Sequence, residues 1–354
     1  MSRSPVRGSG GSTVTDNEES TRDQGRPRAG GIHPDALAGL AARFGADRVR
    51  ASVPLAPFTT FRIGGVADYL FEARSASELA EAVVMARAAG LPTTLLGGGS
   101  NVLVADTGIR GLVLRVRGGL IGPEGAAAVR ADAGVSVNSL VRWAVGHGYV
   151  GLEVWAGTPG TVGGAVFGNA HFREVPIADL VESVRLLTPD NRIVDAGGGQ
   201  LSFAYDYSRL QDTGEIALSA LFALRPGGDP ATLRGAARAS LAYRRRTQPL
   251  ETFNAGCVFR NPDPRVETLP PGIPPSAGAL VDRAGLKGYR VGGASVSALH
   301  ANFIVNDGSA TAGDVRALAR LCRERVRDLF GVVLREEIRY LGDFGTCDDR
   351  APAR

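Results

Sequence analysis

The chain has 354 residues, 44% of them hydrophobic and 21% charged, with a formal net charge of +4. These proportions suit a soluble globular chain of two or three domains. No apolar run reaches the ~18 residues of a membrane span, no apolar core of a signal peptide opens the chain, and the mild, dispersed charge reads as solubility rather than nucleic-acid binding.

Residues 1–32 are rich in Ser, Gly, Arg, Pro and acids. With so few large apolar residues they cannot bury a core and are expected to form a disordered tail. A short helix is expected over residues 35–44. "FTTFRIGG" (residues 58–65) reads as a strand entering a glycine turn, and "ADYLFEA" as a strand. Ser77 can cap a helix that carries Leu79, Val83 and Ala86 on one face and stops at Gly90. "LPTTLL" is a strand running into Gly97, Gly98 and Gly99, and residues 101–104 read as another strand. Glycines at a strand end leave bare backbone N–H groups that can cradle an anion. There is no Gly-Lys-Ser/Thr of a Walker loop, and no helix follows as a dinucleotide fingerprint requires. An anion site here calls for a different architecture.

"GLVLRV" and "AAVRADAG" are further strands, and "VSVNSLVRWAVGHG" is a helix ended by Gly148. Strands both abut through short turns and alternate with helices, which is α+β or mixed-sheet behaviour. A second glycine cluster, "GTPGTVGGAVFGNA", spans residues 157–170. A hairpin is expected about residues 189–191, then a strand, and a domain boundary near 227–229. Beyond it come a basic helix over 232–246 and the turn "NAGCVFRNP". In the helix after Thr311, residues Val315, Leu318, Ala319, Cys322, Val326, Leu329 and Phe330 form one apolar stripe, and Gly331 stops it. "LREEIRYLG" is the last strand, and residues 343–354 read as a loose tail.

Few residues point to chemistry by type alone. Lys287 is the only lysine among 40 basic residues. It is either a chance surface survivor or a compact charge kept at a tight anion site. The three cysteines, Cys257, Cys322 and Cys347, suit neither a disulfide framework nor a zinc site. Cys257 follows a glycine and is sterically open, as a reactive thiol must be, yet free cysteines also serve as small hydrophobes. Glu336 and Glu337 point to opposite faces of a strand, so at most one faces a site. His300 and Asn302 are two apart on a strand-like segment and share a face. The four histidines lack metal-ligand spacing, so no metal is expected, and no Gly-x-Ser-x-Gly elbow supports a serine hydrolase.

Six stretches carry a resemblance: "FTTFRIGG", "LLGGGSNVLVADTGIRGLVL", "GTPGTVGGAVFGNA", "QPLETFNAGCVFRNP", "GLKGYRVGGASVSALHANFIVN" and "FGVVLREEIRYLG". In this order, from residue 58 to residue 342, they resemble the flavoenzyme family of UDP-N-acetylenolpyruvoylglucosamine reductases (UDP-N-acetylmuramate dehydrogenases). The resemblance implies an α+β fold. An FAD-binding region of the p-cresol methylhydroxylase and vanillyl-alcohol oxidase type would occupy residues 33–228 as two α/β subdomains, and a substrate-binding α+β domain residues 229–342. It implies FAD and NADPH as cofactors, a nucleotide-sugar substrate, no nucleic-acid partner, and a cytoplasmic role in peptidoglycan precursor synthesis. In the family's reaction NADPH reduces FAD, hydride passes to the enolpyruvyl double bond, and a protein acid protonates the other carbon.

Site residues follow from the same resemblance. Cys257 stands where the family has a serine acid, and a thiol gives up its proton more readily than a hydroxyl. Glu337 aligns with the catalytic glutamate. Arg62, Ile63, Gly64, Gly97, Gly98, Gly99, Ser100, Asn101, Thr158, Pro159, Gly160, Gly163, Gly164 and Asn169 would hold FAD. Tyr205, Gln248, Asn261, Lys287, His300 and Asn302 would hold the substrate. The chain departs from the family twice. In "FAYDYSRL", Asp206 takes the place of the arginine that meets the substrate carboxylate, which leaves Arg209 or Arg173 to supply the charge, Arg209 being taken as the catalytic member. "NAHFREV" is shorter than its counterpart and lacks a tyrosine. These departures leave room for a flavin oxidase or dehydrogenase of the same fold acting on another substrate, or for a catalytically degenerate flavin-binding paralogue.

Overall fold

Apolar runs that bury on both faces place the first sheet. The computed structural model describes residues 34–172 and 175–345; the expected tail over 1–32, Arg173 and Cys347 lie outside the described residues. Val66–Ala73 and Ile109–Val116 run parallel at the centre of a four-stranded sheet, with Val49–Pro54 antiparallel on one edge and Thr93–Leu96 parallel on the other. Residues 111–114 are buried without a break, as in strands covered on both sides. The crossover helix Ala76–Ala88 is capped by Ser75, which accepts from the Glu78 amide, and not by Ser77, which lies inside the first turn. Residues 58–65, expected as a strand, are instead a 3-10 turn over Ala56–Phe58 followed by a loop. Arg62 at φ +56° breaks any extended run there.

The second sheet is five-stranded and antiparallel, in the order Ile193–Gly197, Val181–Leu187, Ile216–Ala223, Ala128–Asp132 and Ile121–Pro123. Helices Val137–Gly146 and Val162–Phe167 join its core around Trp155, Leu140 and Phe222. Helix Pro230–Thr247 starts at the capping Asp229 and packs backward onto this region. Leu233 belongs to its core, and the Ser240 hydroxyl donates to the Val154 carbonyl at 2.6 Å. The boundary expected at 227–229 thus precedes a helix that shares the core of the middle of the chain.

The third core is built on helices Ala277–Arg283 and Ala312–Phe330 and a three-stranded antiparallel sheet, Arg290–Val291, Ala294–Val296 and Ile304–Asn306. Of the expected stripe on the long helix, Val315, Leu318, Ala319, Cys322 and Val326 are buried, while Leu329 is exposed. Residues 297–303, expected as a strand carrying His300 and Asn302, form a bend in which the Phe303 amide donates to the His300 carbonyl. Phe61, Ile63 and Leu103 join this core from far upstream. The last strand is only Arg339–Leu341, and it pairs in parallel with Val102–Val104. Residues 343–345 do not dangle as expected: the Asp343 carbonyl accepts from the Thr107 hydroxyl and the Phe344 carbonyl from Arg316. Among the described residues no helix is long and apolar enough to cross a membrane.

Candidate active site

Strand Thr93–Leu96 delivers the chain to the first glycine turn, which meets the second. A Cβ on Gly98 would lie 2.7 Å from the Gly160 Cα, and one on Gly99 2.2 Å from the Phe58 carbonyl oxygen, with Gly99 at φ +64°. A side chain at Gly98 would drive the two turns apart, and one at Gly99 would push the turn off the segment at residues 58–59. Among the described residues the N–H groups of Gly98, Gly99, Ser100 and Asn101 donate to no turn or loop carbonyl. Four successive amides without such partners offer donors to an anionic group, and a cofactor diphosphate fits them.

Asn101 ties this turn to the C-terminal strand. The Arg339 amide donates to the Asn101 carbonyl at 3.0 Å, and the Asn101 side chain donates to the Glu337 carbonyl at 3.4 Å. The same segment pairs with residues 258–260 on its other side: the Glu337 amide donates to Val258 O and the Arg260 amide to Arg335 O, both at 2.8 Å. Asn302 locks the third strand-like piece. Its side chain accepts from the Phe259 amide at 2.9 Å and donates to the Phe259 carbonyl at 2.7 Å, and its own carbonyl accepts from Val258 N–H. One run of backbone bonds therefore joins the glycine turn, Glu337 and the neighbour of Cys257.

Glu336 and Glu337 meet different surroundings, although they precede the strand Arg339–Leu341 and form only an isolated bridge, Phe259 with Glu336. Glu336 meets Arg323 at 3.5 Å. Glu337 turns into a buried charge cluster, where burial first and then Asp206 push its carboxyl well above the usual range, against the pull of Arg260. Burial, then Glu337 and Asp206, also push the Cys257 thiol up. In both groups the surroundings favour the protonated form. The ready acidity expected of a free thiol does not hold inside this cluster.

Asp206 is 8% exposed and sits at φ +52°. Its Oδ1 lies 3.4 Å from His171 Nδ1, and its Oδ2 lies 3.7 Å from Arg260 Nε and has no hydrogen-bond partner. The two places where the sequence departs from its resemblance therefore touch. Arg209 does not enter the cluster: its guanidinium grips Glu215 with two hydrogen bonds of 2.9 and 2.8 Å and gives a third to the Gln200 carbonyl. Arg260 and Arg339 stand nearer. Arg339 is half-buried over the Phe167 ring, hydrogen-bonded to Gln211, and responsive to Arg260 and Asp206.

The remaining candidates divide by what their side chains already hold. Asn169 gives its amide to the Ala204 carbonyl and takes the Ala178 N–H, so it braces the turn that carries Asp206. Ile63 is core, Arg62 donates to the Pro57 carbonyl, and the Gly164 amide is taken by the capping Thr161. The Tyr205 hydroxyl accepts from the Asn261 amide at 3.3 Å, and Asn261 accepts from Ala277 at the start of its helix. Lys287 pairs with Asp282 at 2.7 Å. Burial and Lys287 lower the His300 imidazole. Thr158 and Gln248 both receive hydrogen bonds from Arg244. Sequence reasoning passed over Arg244. Its signal is the inward face Leu233, Ala237, Leu241, which reaches Arg244 at helical spacing, while Arg245 and Arg246 are exposed.

A glycine-built anion cradle joined by backbone bonds to a buried carboxyl and a thiol suits a cofactor-bearing site, and comparison with known proteins gives the class. The family model for an FAD binding domain matches residues 67–197, so the protein is a flavin-dependent oxidoreductase with an α+β FAD-binding fold. The model for the C-terminal domain of UDP-N-acetylenolpyruvoylglucosamine reductase matches residues 248–341. The chain is 41% identical to that reductase from Synechococcus sp. (strain JA-3-3Ab), over 84% of this chain and 92% of the relative. It is 43% identical to UDP-N-acetylenolpyruvoylglucosamine reductase 2 of Symbiobacterium thermophilum, over 83% and 92%. The crystal structure of the Thermus caldophilus reductase superposes with a TM-score of 0.68 at 34% identity, covering 83% of this chain and 99% of that one. The chain belongs to the UDP-N-acetylenolpyruvoylglucosamine reductase family.

Proposed function

We propose that this protein reduces the enolpyruvyl group of UDP-N-acetylglucosamine-enolpyruvate to UDP-N-acetylmuramate with NADPH, in the cytoplasm, for peptidoglycan precursor synthesis. The observation that carries the reading is the backbone pairing of residues 335–337 with 258–260, which sets Glu337 beside Cys257 and, through Asn101, against the glycine turn. Bound FAD would accept hydride from NADPH and deliver it to the enolpyruvyl double bond.

The amides of residues 98–101 would hold the cofactor diphosphate, with Thr158, Pro159, Gly160 and Gly163 opposite. Hydride arriving at the terminal carbon of the double bond leaves negative charge on the carbon that bears the carboxylate. Cys257 would hold a proton at Sγ for that carbon, and Glu337, whose burial favours the neutral carboxyl, would donate a hydrogen bond to the developing charge. Gln248, Asn261, Lys287 and His300 would orient the nucleotide sugar, and Asn302 fixes the segment that follows Cys257. Helix Pro230–Thr247 would pack with the cofactor region, and its last turn, joined to Thr158 and Gln248 through Arg244, would border the substrate held by residues from 248 onward.

Anaerobic visible spectroscopy tests this reading. NADPH should bleach a bound flavin, and the enolpyruvyl nucleotide sugar should restore its colour. A flavin that bleaches and stays reduced favours an oxidase or dehydrogenase for another acceptor. Purified protein that neither carries nor takes up flavin rejects the account of the glycine turns.

A further inference from the structure

Arg244 is a buried cation with no carboxylate partner among the described residues. It is 5% exposed, in the last turn of helix Pro230–Thr247. Its guanidinium rests on the Phe172 ring, 3.7 Å from the centroid. It donates to the Thr158 hydroxyl at 2.6 Å and to the Gln248 side-chain oxygen at 3.4 Å, and its buried Nε has no hydrogen-bond partner. Among the described residues no carboxylate pairs with it, and the titrating group that feels its charge is Cys257. A buried charge with only neutral partners and an unmet donor is costly. An arriving anion offsets that cost, and the planar fork of an arginine suits a carboxylate. Arg260 differs, since Asp206 already balances it.

We propose that Arg244 binds the carboxylate of the enolpyruvyl group and of its lactyl product, supplying the positive charge that position 206 cannot. The inference rests on the reductase reading. The carbon that takes the proton from Cys257 also bears the carboxylate, and Arg244 is hydrogen-bonded to Gln248, which the reductase reading puts on the same sugar, and to Thr158 on the cofactor side. The nucleotide diphosphate lies across a sugar ring from it. Charge that builds up on the carboxylate as hydride adds would meet the guanidinium directly.

Calorimetric titration of the flavin-loaded protein tests this with two ligands that share a diphosphate and differ in the carboxylate: UDP-N-acetylmuramate and UDP-N-acetylglucosamine. Visible absorbance checks that flavin is retained. Arg244→Met should weaken UDP-N-acetylmuramate by roughly tenfold to a hundredfold, the worth of a hydrogen bond to a charged group, and leave UDP-N-acetylglucosamine within about twofold. Arg244→Lys, which keeps the charge and guards against a folding defect, should recover part of the loss. Equal weakening of both ligands places the guanidinium on the diphosphate and overturns the proposal. So does unchanged binding of both, or loss of flavin alone. A parent protein that binds the two sugars equally tightly also rejects it, whereas one that binds neither rejects the reductase reading itself.

Discussion

Asp206 shows how one side chain resets its neighbours. An aspartate buried between His171 and Arg260 cannot greet a carboxylate, yet its charge raises both Glu337 and Cys257. Both shifts favour the protonated forms that the proposed chemistry uses. For Glu337 the folded value lies above the unfolded one, about 4.3. Its contribution to stability is therefore complete below that pH and is lost as pH rises through the native value. Asp206→Asn removes one cause of the elevation. The alkaline limb of the kcat–pH profile should move to lower pH, with the limb at acid pH unmoved. A profile identical to the parent's would separate Asp206 from Glu337. Nothing in the residue types announces this coupling. The motif marked position 206 as a departure, and the partner that explains its environment, His171, came from a second departure in a distant stretch.

At the scale of elements, the glycine turns were legible because their cause is local. A strand that ends in three glycines advertises bare amides whatever it packs against. Gly98→Ala tests the close approach. With its Cβ 2.7 Å from the Gly160 backbone, the turns must separate, at the ~1–3 kcal/mol of an overpacked contact. Flavin should then be held roughly tenfold to a hundredfold more weakly, read from absorbance after dialysis, with little change in far-ultraviolet circular dichroism. Full retention would mean that the turns can shift without consequence. Elements whose form depends on distant partners were harder to read. Residues 58–65 and 297–303 look extended by composition, but one wraps the first glycine turn and the other bends so that Asn302 can serve the backbone of Phe259. Arg244 was hidden for the same reason. An arginine run on a helix ordinarily faces water, and only the packing of that helix onto the middle of the chain turns one arginine inward.

For the whole molecule, the decisive contact is the parallel pairing of Arg339–Leu341 with Val102–Val104. Leu103 and Val104 are fully buried, and uncovering side chains of this size costs ~1.5–3 kcal/mol each. A chain ending before Arg339 should melt at a lower temperature and lose flavin in the same step, measured by following flavin fluorescence during a thermal ramp. Flavin retained by the shortened chain would show the glycine turn to be independent of its distant partner. No periodicity in residues 101–104 or 335–341 signals this pairing, because parallel partners far apart in sequence share no turn to fix their register.

The order of synthesis gives that pairing a second meaning. The strand Val102–Val104 is made on the order of two hundred residues before its partner Arg339–Leu341, and at roughly 5–20 residues per second a ribosome separates them by tens of seconds. Through that interval the cofactor turn exists without the strand that braces it. If the shortened chain loses flavin as expected, loading is an event of the finished chain, and nascent chains still short of Arg339 should not retain flavin.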